Sequence, residues 1–154
     1  MTYRIKGLDP RPYRHLFGLA DHDLAALGAT RMTSDSTPGY PCRVTLDDVE
    51  PGRTVLLVNH VSHADGPYRA SHAIFISEDA DEPAEYRGEV PPALDRRVLS
   101  LRAFDEAGMT TDATLCQPGE ADAAIRKMLA VEQVHHIDAH NAVRGCFAGR
   151  VERT

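Results

Sequence analysis

Three sets of residues in this chain combine types and spacings that could do chemistry. His60, His63 and Asp65, with His72 a short way on, offer imidazoles and a carboxylate, the groups from which zinc centres are built. Arg69, Ser71 and Phe75 fall on one face of an expected strand, and Ser100, Arg102 and Phe104 on one face of another, because side chains alternate along extended backbone. Guanidinium groups in such a setting suit bidentate recognition of a carboxylate or phosphate. His140, Asn141, Arg144, Gly145 and Cys146 place a base, an amide, a cation and a thiol close together in sequence. Cysteine and histidine in contact can act as nucleophile and base.

Each set also has a plain structural explanation. A zinc site needs three or four converging ligands. The spacing His60-Val-Ser-His63 does not match the His-x-His start of metallo-β-lactamase-like hydrolases or of cupins. No metal is therefore expected, and His60, His63 and Asp65 read as solvated or hydrogen-bonding loop groups. His22, His135 and His136 read as structural or exposed. An arginine on a half-apolar face must be compensated or stay near solvent, so Arg69 and Arg102 either pair with Asp105 or Asp112 or await an anion. For His140 and Cys146, catalysis would require spatial contact and an oxyanion donor, and a turn with a buried cysteine is the simpler account.

Composition removes other classes of function. The 154 residues are 42% hydrophobic and 26% charged, which suits a folded chain with a core of its own, and one domain spanning 1–154 is expected. Seventeen Lys and Arg against 23 Asp and Glu give a net charge of −6, the wrong sign for a nucleic-acid surface. No stretch has the ~20 apolar residues of a membrane span, and Met1 to Pro10 lacks an apolar leader. Cys42, Cys116 and Cys146 are odd in number and widely spaced, which points away from a disulfide framework. A cytoplasmic location is the expectation, with no cofactor and no membrane or nucleic-acid partner.

The elements that must position these groups can be read from hydrophobic period and punctuation. Tyr3, Ile5 and Gly7 alternate as a short strand. Asp9 and Pro10 can open a helix whose inner face carries Tyr13, Leu16, Phe17 and Ala20, and a second short helix starts at Asp21 and ends before Gly28. Strands are expected over 29–35, 43–46, 54–60 and 68–77, with 43–46 and 54–60 forming a hairpin around Glu50-Pro-Gly52. The acid-rich stretch 78–89 reads as a solvated loop. Segments 97–105 and 109–115 form a hairpin, 119–130 a helix with Ala121, Ile125, Met128 and Leu129 on one stripe, and 134–141 and 146–151 the last strands. The order of elements argues for an α+β fold: a largely antiparallel sheet, two short N-terminal helices and one longer helix near the C-terminus.

Five segments occur in sequence that together suggest a family: Tyr3-Arg-Ile-Lys-Gly-Leu-Asp-Pro10, Gly39-Tyr-Pro-Cys-Arg43, Pro67-Tyr-Arg-Ala-Ser-His-Ala-Ile-Phe75, Leu99-Ser-Leu-Arg-Ala-Phe-Asp105 and His140-Asn-Ala-Val-Arg-Gly-Cys146. They resemble the bacterial proteins grouped as domain of unknown function 1203, across nearly the whole chain. The resemblance implies no activity. That family commonly has histidine two residues before the His-Asn pair, where this chain has Asp138, which counts against a two-histidine metal site there.

The functional expectation is a pocket for a small anionic metabolite, with or without turnover, bound by Arg69, Ser71, Arg102, Asn141 and Arg144, with His140 and Cys146 as catalytic candidates. The contrasting expectation is a noncatalytic protein-interaction module that uses the acidic loop 78–89.

Overall fold

A computed structural model describes residues 2–154. Strand β1 (Tyr3–Lys6) buries Tyr3 and Ile5 by simple alternation. The helix expected from Asp9 is instead a 3-10 turn over Arg11–Leu16. Asp9 Oδ1 accepts the Arg11 amide N–H at 3.0 Å, and the backbone bonds span three residues, from Tyr13 to the Pro10 carbonyl at 2.9 Å and from Phe17 to the Arg14 carbonyl at 3.1 Å. Leu16 is buried and Tyr13 and Phe17 pack beside it, whereas Ala20 is exposed, contrary to its expected inward position. Helix α1 (Asp21–Ala26) follows, and Gly28 behind it takes a left-handed φ of 76°.

Strands β2 (Thr30–Thr33), β3 (Thr54–His63) and β4 (Ala70–Ser77) form a three-stranded sheet in the order β2-β3-β4. The expected 43–46 strand and its hairpin are absent, since β3 pairs with β2 and β4 and residues 43–45 form a turn. The turn brings Val44 under the N-terminal segment. An added Cβ on Gly7 would lie 1.9 Å from the Val44 carbonyl oxygen, so only glycine permits that approach.

Strands β5 (Glu85–Arg87), β6 (Leu99–Phe104), β7 (Thr110–Cys116), β8 (His136–Asn141) and β9 (Phe147–Arg153) join β1 in a six-stranded sheet, ordered β5-β1-β9-β8-β6-β7. All strand pairings in both sheets are antiparallel, and the fold is α+β. β5 lies inside the stretch expected to be a solvated loop. Its pairing with β1 at the sheet edge explains how three residues poor in apolar side chains become a strand. Helix α2 (Pro92–Asp95) was not legible as a helix, being a single turn that begins with two prolines. Helix α3 (Ala121–Leu129) lays Ala121, Ile125, Met128 and Leu129 on the six-stranded sheet.

Two apolar cores result. One lies between the six-stranded sheet and α2 and α3, around Leu99, Leu101, Ile125 and Ile137. The other joins the three-stranded sheet to the N-terminal turn and α1, around Leu24, Val44, Leu56 and Ile76. Where the outer ends of β3 and β4 cross the face of β6, β8 and β9, the layer between the sheets is made of histidines and phenylalanines. His60 stands 5.3 Å from Phe147 between ring centres, His63 4.4 Å from Phe104, and His72 5.0 Å from His140. No described helix is long and apolar enough to cross a membrane.

Candidate functional site

The period of two along β8 puts His136, Asp138 and His140 on the face that meets the second sheet, and Ile137 and Ala139 on the face that meets α3. Asp138 is fully buried and is held from both sides. Arg150 Nε donates to Oδ1 at 2.7 Å and Nη2 to Oδ2 at 2.9 Å, and His63 Nε2 donates to Oδ2 at 2.8 Å. Burial works against its charge, but these donors keep the carboxyl below the ordinary aspartate range. His136 stacks on Phe104 and leaves Nε2 buried without a partner, and burial pulls its pKa down to about 4.

Ligand atoms of His63, His136 and Asp138 lie within 4.8 Å of one another. This differs from the sequence grouping. Asp65 is exposed beyond β3, and His60 Nδ1 shares a hydrogen bond of 3.0 Å with the Tyr13 hydroxyl. Asp138 is the acceptor for Arg150. A divalent ion in this cluster would have to share the carboxylate with a guanidinium that already occupies both oxygens, and the two cations would repel.

The arginine-bearing strands do not lie side by side. Arg69 precedes β4 and is exposed, Ser71 on β4 is exposed and faces Val61 across the ladder, and β4 belongs to the other sheet from Arg102. Arg102 Nε donates to Ser100 Oγ at 3.2 Å, not to Asp105 or Asp112. Asp105 accepts the amides of Ala107 and Met109 in its own turn. Arg102 does adjoin His72 and His140, whose pKa values are lowered first by burial and also by its charge.

A cavity of about 780 Å³ opens between the three-stranded sheet and the end of β8. Gly39, Tyr40, Pro41 and Arg43 line one side, His72, Ala73 and Phe75 a second, and Asn141, Val143, Arg144 and Cys146 a third. Three of the five segments that carry the family resemblance therefore converge here. Met32, Leu57 and Val98 supply apolar wall, and Tyr40 and Phe75 stand 5.2 Å apart between ring centres.

Arg43, inside the 43–46 segment expected as a strand, is 3% exposed. Its Nε donates to the Phe147 carbonyl at 2.8 Å, Nη1 to the Pro41 carbonyl at 2.7 Å and Nη2 to Cys146 Sγ at 3.1 Å. Among the described residues no carboxylate pairs with it, and burial lowers its pKa. Arginine stays protonated in proteins, so the charge is real and no carboxylate answers it. Its neighbour Arg97 is answered, with Asp48 accepting from Nη2 at 2.5 Å. A signal for Arg43 was present in the sequence: a cation between Cys42 and Val44, both apolar and now both buried.

Two further polar atoms at this cavity are buried without a partner, His72 Nδ1 and Asn141 Oδ1. Asn141 Nδ2 donates toward Cys146 Sγ at 3.6 Å. Arg144 is exposed at the rim, and Asp35, also lining it, accepts from the Tyr40 hydroxyl at 3.2 Å. His140 and Cys146 do not hydrogen-bond to one another. His140 Nδ1 donates to the Gly145 carbonyl at 2.9 Å, while the sulfur faces Arg43 and Asn141. The histidine that lines the cavity with the thiol is His72, from a different strand and a different sheet.

An antiparallel two-sheet α+β protein with a cationic cavity at the meeting of the sheets is the class that this geometry defines. The family described as "Protein of unknown function (DUF1203)" matches residues 39–153, and the chain belongs to it. All three cavity-forming segments fall inside the matched range, whereas the Tyr3 to Pro10 segment lies outside it. No curated protein and no solved structure matches the chain.

Proposed function

We propose that the protein binds a small anionic metabolite in the cavity between the sheets, with Arg43 as the buried cation and Arg144 at the mouth. The observation that carries this reading is Arg43. An uncompensated buried charge is costly, and its donors meet only two carbonyls and a sulfur. A guanidinium has five N–H groups, so two remain for an anion. A ligand carrying both a carboxylate or phosphate and hydrogen-bonding groups would also answer His72 Nδ1 and Asn141 Oδ1, and the Tyr40 and Phe75 rings favour an apolar or aromatic body. Arg69, Ser71 and Arg102 leave the proposed binding set because they do not line the cavity, while Asn141 and Arg144 stay in it. A cytosolic setting in a bacterial cell suits three free cysteines.

The acidic segment 78–89 is less favoured as a docking surface because its charges are largely spent internally. Glu78 accepts from Arg31, Asp79 pairs with Arg53, and Asp81 pairs with Arg14.

The test is thermal denaturation in sulfate, phosphate, succinate and benzoate against chloride at equal ionic strength. A ligand at about a hundred times its Kd raises stability by ~2.7 kcal/mol. The wild type should respond to at least one anion above chloride. Arg144→Gln, at an exposed rim position that no fold contact needs, should respond less, and Arg43→Lys should lose most of the response. Identical anion responses in all three proteins would reject the cavity as the binding site.

A further inference from the structure

We propose that Cys146 is a nucleophilic thiol that forms a mixed disulfide with small disulfides carrying carboxylate groups. The sulfur is not isolated. It lines an open cavity, is only partly buried, and has the guanidinium of buried Arg43 donating to it at 3.1 Å and an amide at 3.6 Å. Attack on a disulfide requires the thiolate, and a cation held beside the sulfur is the environment in which reactive cysteines occur. Arg43 cannot turn away to an acid, because none pairs with it. It is fixed by the Pro41 and Phe147 carbonyls and lines the same cavity as the sulfur.

The other two cysteines differ in every respect that matters. Cys42 and Cys116 are buried, and Cys42 Sγ accepts the Ser77 amide at 3.2 Å. Burial raises the Cys116 thiol. Neither lines the cavity.

In the reaction, the Cys146 thiolate attacks one sulfur of the incoming disulfide. A new S–S bond forms as the old one breaks, and the bonding pair leaves on the departing thiolate, which takes a proton from water. The thiol of Cys146 is oxidised and half of the disulfide is reduced, so no further oxidant is needed. The adduct keeps the carboxylate-bearing half of the reagent in the cavity, next to Arg43 and Arg144. With no second thiol on the cavity wall, the adduct persists until an external thiol reverses it.

This inference shares the cavity with the anion-binding proposal but not its outcome. A cavity could bind anions without a reactive thiol, and a reactive thiol could show no preference for anionic reagents.

The experiment compares the native full chain against two disulfide probes, the dianionic 5,5′-dithiobis(2-nitrobenzoate) and the neutral 4,4′-dithiodipyridine, with free cysteine as the reference thiol. Released thiol is followed optically and the modified residue is located by peptide mass spectrometry. One rapid equivalent at Cys146 is expected, absent in Cys146→Ser and retained in the Cys42→Ser, Cys116→Ser double variant. A charge-assisted contact should favour the anionic probe over the neutral one by roughly tenfold more than free cysteine does. Arg43→Lys and Arg144→Gln should each shrink that preference. Modification only as fast as global unfolding, or label found first at Cys42 or Cys116, would overturn the nucleophile. Rapid reaction at Cys146 with no more anionic preference than free cysteine would overturn the assigned substrate class. The anion response of Cys146→Ser in thermal denaturation reads the binding proposal separately.

Discussion

Replacing His136 with phenylalanine should remove much of the acid sensitivity of this fold. His136 lies between Phe104, at 5.2 Å and 12° between ring planes, and His63, so an aromatic ring can keep the stack. Burial first, and then the charge of Arg150, hold its folded pKa at about 4, against an ordinary value of 6.5. The sign follows directly. A depressed histidine binds its proton more readily in the unfolded chain, so stability is complete above the unfolded pKa and is lost as pH falls from about 6.5 towards about 4. Between about pH 7 and about pH 4.5 the unfolded state gains nearly two units of protonation free energy that the native state does not. At ~1.4 kcal/mol per unit this amounts to roughly 2.5 kcal/mol. His60, His72 and His140 are shifted downward by burial as well and add to the slope, but they do so in both proteins. The difference between the two pH-dependent losses therefore isolates residue 136. The chain has no tryptophan, so urea unfolding is best followed by circular dichroism at the two pH values. His136→Phe should lose about 2.5 kcal/mol less than wild type on acidification, whatever packing strain shifts its absolute stability. A pH-dependent loss within about 0.5 kcal/mol of the wild-type loss would refute the account of a neutral, desolvated imidazole.

Asp138→Asn should cost about 3 kcal/mol or more, because it leaves Arg150 without its carboxylate, and the double variant with Arg150→Met should recover part of that loss in urea denaturation. Gly7→Ala should destabilise by roughly 2 kcal/mol or more, since the new Cβ meets the Val44 carbonyl, and a melting temperature like that of wild type would contradict that close approach. Glu78 receives Arg31, Thr54 and the Gly18 amide, and its pKa falls to about 2, led by the Arg31 hydrogen bond. Its folded pKa is depressed, so its contribution is present above the ordinary value of 4.5 and lost as pH falls towards about 2. Glu78→Gln should therefore cost about 2 kcal/mol near neutrality, and the gap should close in acid, as measured by denaturation at several pH values.

Elements were legible where the chain's own period or punctuation decides them. The β6–β7 hairpin is an example: β6 alternates between buried and half-buried residues, and Gly108 supplies the left-handed residue at the turn, with φ 80°. Elements are not legible where pairing decides instead. Residues 43–46 have the composition of a strand but form a turn, because β3 finds better partners in β2 and β4. Residues 85–87 have the composition of a loop but form β5, because the edge of β1 offers unpaired backbone groups. The first helix is a 3-10 turn, closed by three-residue backbone bonds behind the Asp9 side chain, which hydrophobic spacing alone does not distinguish from an α-helix.

The site divides in the same way. Asn141, Arg144 and Cys146 stand out in sequence as chemically capable residues on one turn, and they do share a wall of the cavity. Arg43 and His72 were not joined to them, since the separation along the chain is large and the contact is made by two sheets meeting. Face alternation holds for Ser100 and Arg102 on β6, but Arg69 lies just before β4, and alternation cannot say which sheet a strand enters. By itself the sequence determined the α+β character, the residue types available for chemistry and the net negative charge, because these follow from composition and from periods of a few residues. The tertiary structure alone decided that a buried arginine meets a thiol at an open cavity and that Asp138 sits among the histidines with Arg150 on both its oxygens. Those outcomes depend on long-range packing, where small differences in burial between alternative pairings select the register and no local pattern records the choice.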